Sequence, residues 1–321
     1  MNTKKNKTTI VDIGARYGLH PSWKNYHNET LFYLIEADPD ESERLVSKFI
    51  KKNNVKIFNK AIMEKKGTYD LKILNNPAMS QTEEREDISP LFWDEKKYQT
   101  EIEKVVKVNA ISLNELREII NQKVDFLKID TEGTEFSIIK NYQFFSELIG
   151  VRCEVSFNKN FTSQKNDTFT SIHSLMLAKN FVLLNIDYSG KGEHYSKFTN
   201  NLERYGILQT TDAVWIKDPK LVLEWNNGLD ILNYVNFLFR NNAPDLALYI
   251  LEKKSDIFKD LKTTKQYIYA AYLTATYFYK LKWQPNQNIH EHKEFYEKVF
   301  TLEYPSMNKF NESDYYNKIG I

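Results

Sequence analysis

The chain has 321 residues, 41% of them hydrophobic and 14% aromatic, with a formal net charge of +1. That supplies a sizeable core and excludes wholesale disorder, and so even a charge offers no field to draw nucleic acid or an anionic membrane. The single cysteine, Cys153, excludes an intrachain disulfide and a cysteine-rich zinc site. It sits in an apolar run and reads as a buried thiol. No apolar run is long enough to span a membrane, and the first ten residues have no secretory core, so a cytoplasmic protein is expected.

Residues 1–7 read as a flexible tail, and a first strand covers about 8–13. Ile10, Val11 and Ile13 are β-branched and apolar, as a strand covered on both faces requires. Gly14-Ala15-Arg16-Tyr17-Gly18 follows as a glycine turn, where a ligand could lie against bare backbone. His20-Pro21-Ser22-Trp23 leads toward a short helix. The second strand, about 30–36, ends in Glu36. An acidic residue about 20 positions past such a turn is placed to accept hydrogen bonds from two ribose hydroxyls. An ordinary α/β protein could carry either feature; together they point to a bound nucleoside.

Asp38 and Pro39 open a helix whose apolar face is Leu45, Val46, Phe49 and Ile50. A third strand covers about 55–59, and Lys60-Ala61-Ile62 follows. Thr68–Leu74 alternates and is expected to pair with Val105–Ile111. Asn75 to Lys104, with Pro77, Pro90 and Trp93, reads as a long polar loop. Ser112 opens a helix. Val124–Asp130 is a buried strand that places Asp130 at its carboxyl end, where open α/β sheets hold ligands. Glu132 and Glu135 stand at the following helix start, where the helix dipole alone would favour them. Ile149–Val155 carries Glu154 near its end, a helix finishes at Leu175–Lys179, Phe181–Asp187 is a sixth strand, and Gly206–Ile216, with Asp212 inside it, is the last.

The β pattern stops at Asp218. Leu221–Phe239, Ala243–Leu251, Lys265–Tyr279 and His290–Phe300 read as helices rich in Tyr, Phe and Leu, with Asn226-Asn227-Gly228 marking a boundary. The expected division is therefore 1–217 and 218–321. The helical part reads as an extension packing on the first domain or on a second subunit, a route to a homo-oligomer.

Three segments carry a resemblance: Val11-Asp12-Ile13-Gly14-Ala15, Ile35-Glu36-Ala37-Asp38-Pro39, and Leu127-Lys128-Ile129-Asp130-Thr131-Glu132-Gly133-Thr134-Glu135. In order and spacing they resemble the FkbM family of S-adenosylmethionine-dependent O-methyltransferases, over roughly residues 8–217. The resemblance implies an α/β, Rossmann-like seven-stranded methyltransferase sheet with its last strand antiparallel and, here, a C-terminal helical extension. It implies S-adenosylmethionine as cofactor. Asp12, Gly14, Ala15, Arg16 and Gly18 would approach its methionine part. Glu36 and Ala37 would hold the ribose, Ala61 and Ile62 would edge the adenine, and Asp130 would face the same crevice. Two departures concern the substrate pocket: Arg16 stands where many members carry Asn, and Met79-Ser80-Gln81 stands where a small-residue serine pair is expected.

The implied reaction is methyl transfer to a sugar or glycan hydroxyl, of the kind that decorates surface polysaccharides and natural products. It needs collinear positioning and a group to take one proton. Asp130, His20 and Glu154 are the candidates for that chemistry. His20 is preferred over His173 and His194 because it lies nearest the turn. No His/Asp cluster has metal-ligand spacing, and no metal is expected, although Asp130 with Glu154 could form an oxygen-rich divalent site. Two other readings compete. A nicotinamide-dependent oxidoreductase would need G-x-G-x-x-G, and Arg16 occupies the second glycine position. A methyltransferase-like binding protein without activity would keep the cofactor crevice alone.

Overall fold

The structure is a computed structural model that describes residues 7–23, 26, 29–82, 94–157, 169–187, 197–199, 210–281 and 288–305. It divides into two compact units. One is Thr9–His20 with Phe32–Ile216; the other is Met1–Thr8, Pro21–Leu31 and Lys217–Ile321.

The first unit is built on strands. In chain order these are β1 (Thr9–Ile13), β2 (Leu31–Glu36), β3 (Val55–Asn59), β4 (Ala61–Ile62), β5 (Gly67–Leu74), β6 (Ile102–Ile111), β7 (Phe126–Ile129), β8 (Gly150–Ser156), β9 (Phe181–Ile186) and β10 (Thr210–Lys217). Among them run α1 (Pro39–Phe49), α2 (Asp94–Thr100), α3 (Leu113–Ile120), α4 (Glu135–Ile139) and α5 (Phe169–Ala178). Seven strands form one sheet in the order β3-β2-β1-β7-β8-β10-β9, and β4-β6-β5 form a second, smaller one. In the large sheet β1, β7 and β8 are mutually parallel and β10 is antiparallel to β8. The seven-stranded architecture with an antiparallel last strand is the one expected from the sequence.

The central strands are buried along their whole length, β1 and β7 at every residue, because helices cover both faces of such a sheet. Local signals explain the helix starts. Asp38 accepts the N–H of Asp40 at 3.1 Å, with Pro39 in the first turn. Ser112 and Glu115 form a reciprocal capping box on α3.

The long loop expected over 75–104 is only partly one. Pro77–Met79 form a short 3-10 turn, Gln81 bridges to Lys72 through both backbone groups, and α2 and the start of β6 fill the rest. The expected pairing of Thr68–Leu74 with Val105–Ile111 is present as β5–β6, and only the first residues of β6, from Ile102, were missed, because they are exposed with no apolar alternation to mark them. Pro90 and Trp93 lie outside the described residues, as do the tail 1–6 and the start, 206–209, of the expected last strand.

The second unit is helical: α6 (Pro219–Val222), α7 (Gly228–Arg240), α8 (Pro244–Lys254), α9 (Lys265–Leu281) and α10 (Ile289–Phe300). The single helix expected over 221–239 is two, because Asn227 turns its side chain onto the N–H groups of Leu229 and Asp230 and starts a new helix. α7 is hydrophobic nearly all round and is packed by α8 and α9. Pro21–Leu31, interior to the expected 1–217 domain, belongs to this helical unit. Trp23 stacks on Phe237 with centroids 6.0 Å apart, Tyr26 meets Tyr269 at 5.7 Å, and Thr8 donates to Asn233 at 2.7 Å. No described helix is long and apolar enough to cross a membrane.

Candidate active site

The turn after β1 is closed by its own backbone. The N–H groups of Gly14 and Ala15 both donate to the Ile35 carbonyl at 3.1 Å, and Gly18 N–H donates to Ala15 at 2.8 Å. Gly14 (φ +75) needs to be glycine for a reason the sequence did not show: a Cβ there would lie 1.8 Å from the Asp130 carbonyl oxygen. Gly18 (φ +97) lies against the Phe49 ring of α1. Both glycines let elements pack. That packing reason stands beside the ligand approach expected from the sequence.

At the end of β2, Glu36 is 5% exposed, and its Oε1 accepts the N–H of Asp38 at 2.8 Å. Burial pushes its carboxyl up to about 7, against the pull of that N–H and of Arg16. Arg16 itself pairs with Asp38 at 2.7 Å. A buried carboxyl whose own closest cation serves its neighbour favours further hydrogen-bond donors, and vicinal hydroxyls are such donors. Ala15 is buried and Ala37 partly so. Ala61 and Ile62 are buried strand residues of the second sheet, paired with Ala110 and Ile111; the preceding Lys60 N–H donates to the Glu36 carbonyl at 3.2 Å, and Ala37 packs against the cluster that contains Ala61.

The carboxyl-terminal parts of β1, β7 and β8, with the amino end of the antiparallel β10 beside them, carry a lattice of charge. Asp12 pairs in register with Lys128, Lys128 with Arg152, and Arg152 with Val214; Glu154 pairs with Asp212. Residues directly opposite, and those two apart on one strand, share a face. Lys128 and Arg152 are thus like charges side by side, an arrangement that needs carboxylates around it. They are present. The buried Lys128 ammonium lies 3.0 Å from Asp130 and 3.6 Å from Asp12. Arg152 lies 2.9 Å from Asp212 and 3.4 Å from Asp187.

Burial works against the charge on Lys128, but Asp130 and Asp12 outweigh it and hold the ammonium above its ordinary range. Burial pushes Asp12 up, opposed by Lys128 and by the His20 N–H, which donates to Asp12 at 3.3 Å. Asp12 Oδ1 is buried without a hydrogen-bond partner among the described residues. His20 presents Nε2 3.5 Å from Asp212. Burial, then Lys128 and Arg152, push its imidazole down to about 3. Burial and Asp130 raise Asp212, against Lys128 and Arg152.

Of the three residues expected to do chemistry, Asp130 and His20 are drawn into this lattice, and Glu154 borders it. Carboxylate oxygens of Asp130, Glu132 and Glu154 lie within 4.8 Å of one another, and the Asp130 carboxylate already has the Lys128 ammonium as counter-ion. Glu135 organises its own loop: it accepts from the N–H of Thr131 at 2.7 Å and of Gly133 at 3.2 Å, ahead of α4. Cys153 is fully buried, with its thiol pushed well up by burial, the inert thiol expected. His173 accepts from Trp215 at 3.1 Å and stacks on Phe169, a packing role. His194 lies outside the described residues. Lys128, Arg152 and Asp212 were missed as site residues. Their signal was a charge inside a buried strand, which demands a partner.

Residues 12–183, more than half of the chain, match the family described as the methyltransferase FkbM domain. Among solved structures, the chain is similar to the FkbM methyltransferase of Methylobacillus flagellatus KT at 11% identity and TM-score 0.34, covering 65% of this chain and 43% of that one. It is similar to a fibrillarin/Nop5p complex at 13% identity and TM-score 0.36, covering 66% and 73%. It is similar to M. capricolum TrmK, in complex with S-adenosyl-homocysteine, at 12% identity and TM-score 0.31, covering 92% and 91%. No curated protein matches it.

Proposed function

The chain belongs to the FkbM methyltransferase family, and we propose that it transfers a methyl group to a hydroxyl oxygen of a sugar or glycan. S-adenosylmethionine is the cofactor, and when bound it supplies an electrophilic methyl carbon on a positively charged sulfur. The residues fit such a group. Asp12 offers a buried carboxylate oxygen with no hydrogen-bond donor among the described residues, and Glu36 a buried carboxyl at the end of the next strand.

One observation carries the choice of cofactor class. Three of the five amides in the turn are already bonded to protein carbonyls, and a 3-10 turn at Pro21–Trp23, rather than an α-helix, follows. A dinucleotide pyrophosphate needs free amides at a helix start. Here it would meet the carboxylates of Asp12, Asp130 and Glu36 instead. A sulfonium cation is suited to them.

For the transfer, His20 would take the proton of the acceptor hydroxyl, whose oxygen would receive the methyl group that the bound cofactor supplies, with the demethylated cofactor as the other product. His20 is neutral at working pH, and with its imidazole pushed down to about 3 it is a weak base that would pass the proton straight on to water. Asp130, ion-paired to Lys128, presents a fixed negative charge to the reacting groups, and Glu154 borders the acceptor side. The sugar acceptor is what the family resemblance implies.

Calorimetry with S-adenosylmethionine and with NAD, followed by transfer of labelled methyl to a glycan pool, tests the reading. The expected result is binding of the first alone and label in an alkali-stable methyl ether. Binding of NAD alone would overturn it in favour of an oxidoreductase. Cofactor binding with no transfer to any hydroxyl would leave a binding protein.

A further inference from the structure

We propose that Asp212, held by Arg152, fixes the ring orientation and tautomer of His20, with the proton on Nε2 and the lone pair on Nδ1. The proposal rests on the methyl-transfer reading only for the destination of the acceptor's proton; the tautomer is a property of the protein by itself.

The loop carrying His20 is pinned at two points from opposite sides of β7. Its main-chain N–H donates to Asp12 on β1, and its ring nitrogen Nε2 faces Asp212 on β10 at 3.5 Å. That separation is long for a hydrogen bond, as such contacts commonly are before substrate tightens them. Asp212 is held in turn. Arg152 shares its sheet face and reaches it diagonally across the β8–β10 pair at 2.9 Å.

The charged groups around the ring are Asp12 from β1, Lys128 and Asp130 from β7, Arg152 from β8, Asp187 after β9 and Asp212 from β10. Burial and the two cations keep the imidazole neutral, down to about 3. A neutral imidazole carries one N–H and one lone pair, and the hydrogen bond at one nitrogen decides which is which. A carboxylate opposite Nε2, with a guanidinium 2.9 Å from it, selects the proton there. The acceptor's O–H proton then goes to Nδ1 and leaves the ring to water after the methyl ether forms. Asp212 and Arg152 are positioning residues; neither receives the proton.

Heteronuclear NMR of the full chain with isotope-labelled histidine reads the tautomer, with His20 identified by subtraction of the His20→Gln spectrum. The wild type should show the Nε2–H form. Asp212→Asn, whose side chain offers a donor as well as an acceptor, should mix or reverse it. The same variant should lose about 10²-fold in kcat, with KM for both substrates and melting temperature near wild type. Arg152→Lys should retain more kcat than Arg152→Met. An Nδ1–H form in the wild type overturns the proposal without any variant having to fold. So does an unchanged tautomer in Asp212→Asn, or a changed one with full kcat. An Nε2–H form that shifts in the variant, in a protein that methylates no hydroxyl, would support the assignment while overturning the reaction.

Discussion

Two groups of carboxyls, each with a buried member, Asp12 in one and Glu36 in the other, lie at the strand ends of one sheet, and they are held in opposite ways. Asp12, Asp130 and Asp212 have cations built in among them, Lys128 and Arg152, at 2.9–3.6 Å. Glu36, two strands from Lys128 in the order β2-β1-β7, accepts one backbone N–H, and its nearby guanidinium, Arg16, is paired to Asp38. The first cluster has its counter-ions within the protein, although one Asp12 oxygen has no hydrogen-bond donor among the described residues. The second has a carboxyl that burial holds near the protonated form, and donors from outside would complete it. Under the proposed function, charge for chemistry would be supplied by the chain, and charge for cofactor recognition would appear when the cofactor brings its hydroxyls.

The largest effect that separates the clusters is expected at Lys128. Lys128→Met keeps length and removes the ammonium, leaving Asp12 and Asp130 uncompensated in a buried place. Breaking such a pair costs about 3–5 kcal/mol, read as a fall in the urea midpoint at constant slope. Adding Asp130→Asn should restore part of it, since the cost lies in the unpaired charge more than in packing. Glu36→Gln is the control: its amide oxygen still accepts from Asp38 N–H, no cation is orphaned, and stability at neutral pH should hold or rise. Equal losses at the two positions would erase the distinction.

The two clusters also differ in how far the sequence disclosed them. The turn and Glu36 were legible because a β-branched run, two glycines and an acid at the next strand end lie within about thirty residues of one another. The reason for Gly14 was not, because the atom it avoids, the Asp130 carbonyl, belongs to a distant strand. The Arg152–Asp212 pair is set by the register of β8 and β10, and nothing local in either strand states that register. His20 was chosen for nearness to the turn alone; its partner comes from the far end of the unit. In the fold, β7 and α3 were plain from periodicity and capping. The membership of Pro21–Leu31 in the helical unit was not, because Trp23 and Tyr26 find their ring partners on α7 and α9, more than two hundred residues on.

A smaller effect is expected on cofactor affinity. Glu36→Ala removes the carboxyl that would accept two ribose hydroxyls, and hydrogen bonds to a charged group contribute roughly 1.5–3 kcal/mol. The dissociation constant for S-adenosylmethionine should rise about tenfold or more by calorimetry. An unchanged constant would mean that Glu36 is not the ribose residue. Gly14→Val is a poor substitute for this test. A side chain there strikes the Asp130 backbone, so lost binding would report a displaced strand end.

The smallest effect is a pH dependence expected from Glu36. Its carboxyl stands at about 7 in the folded protein, against an ordinary value of 4.5. Between those values the folded state holds a proton that the unfolded state has lost. The associated stability is therefore full below the lower value, falls as pH rises through the window, and is gone above the upper one. Glu36→Gln should flatten that slope. Ribose hydroxyls donate to the ionised form, so the cofactor must expel the proton when it binds below neutrality. Affinity should then be about fivefold tighter at pH ~7 than at ~6, with less than about a twofold further gain by ~8. Proton release, read from calorimetry in buffers of different ionisation heat, should accompany binding at the acid end and vanish at the alkaline end. A flat affinity profile with wild-type Glu36 would show that the carboxyl is already ionised in the free protein, and the contrast between the two clusters would fail at its root.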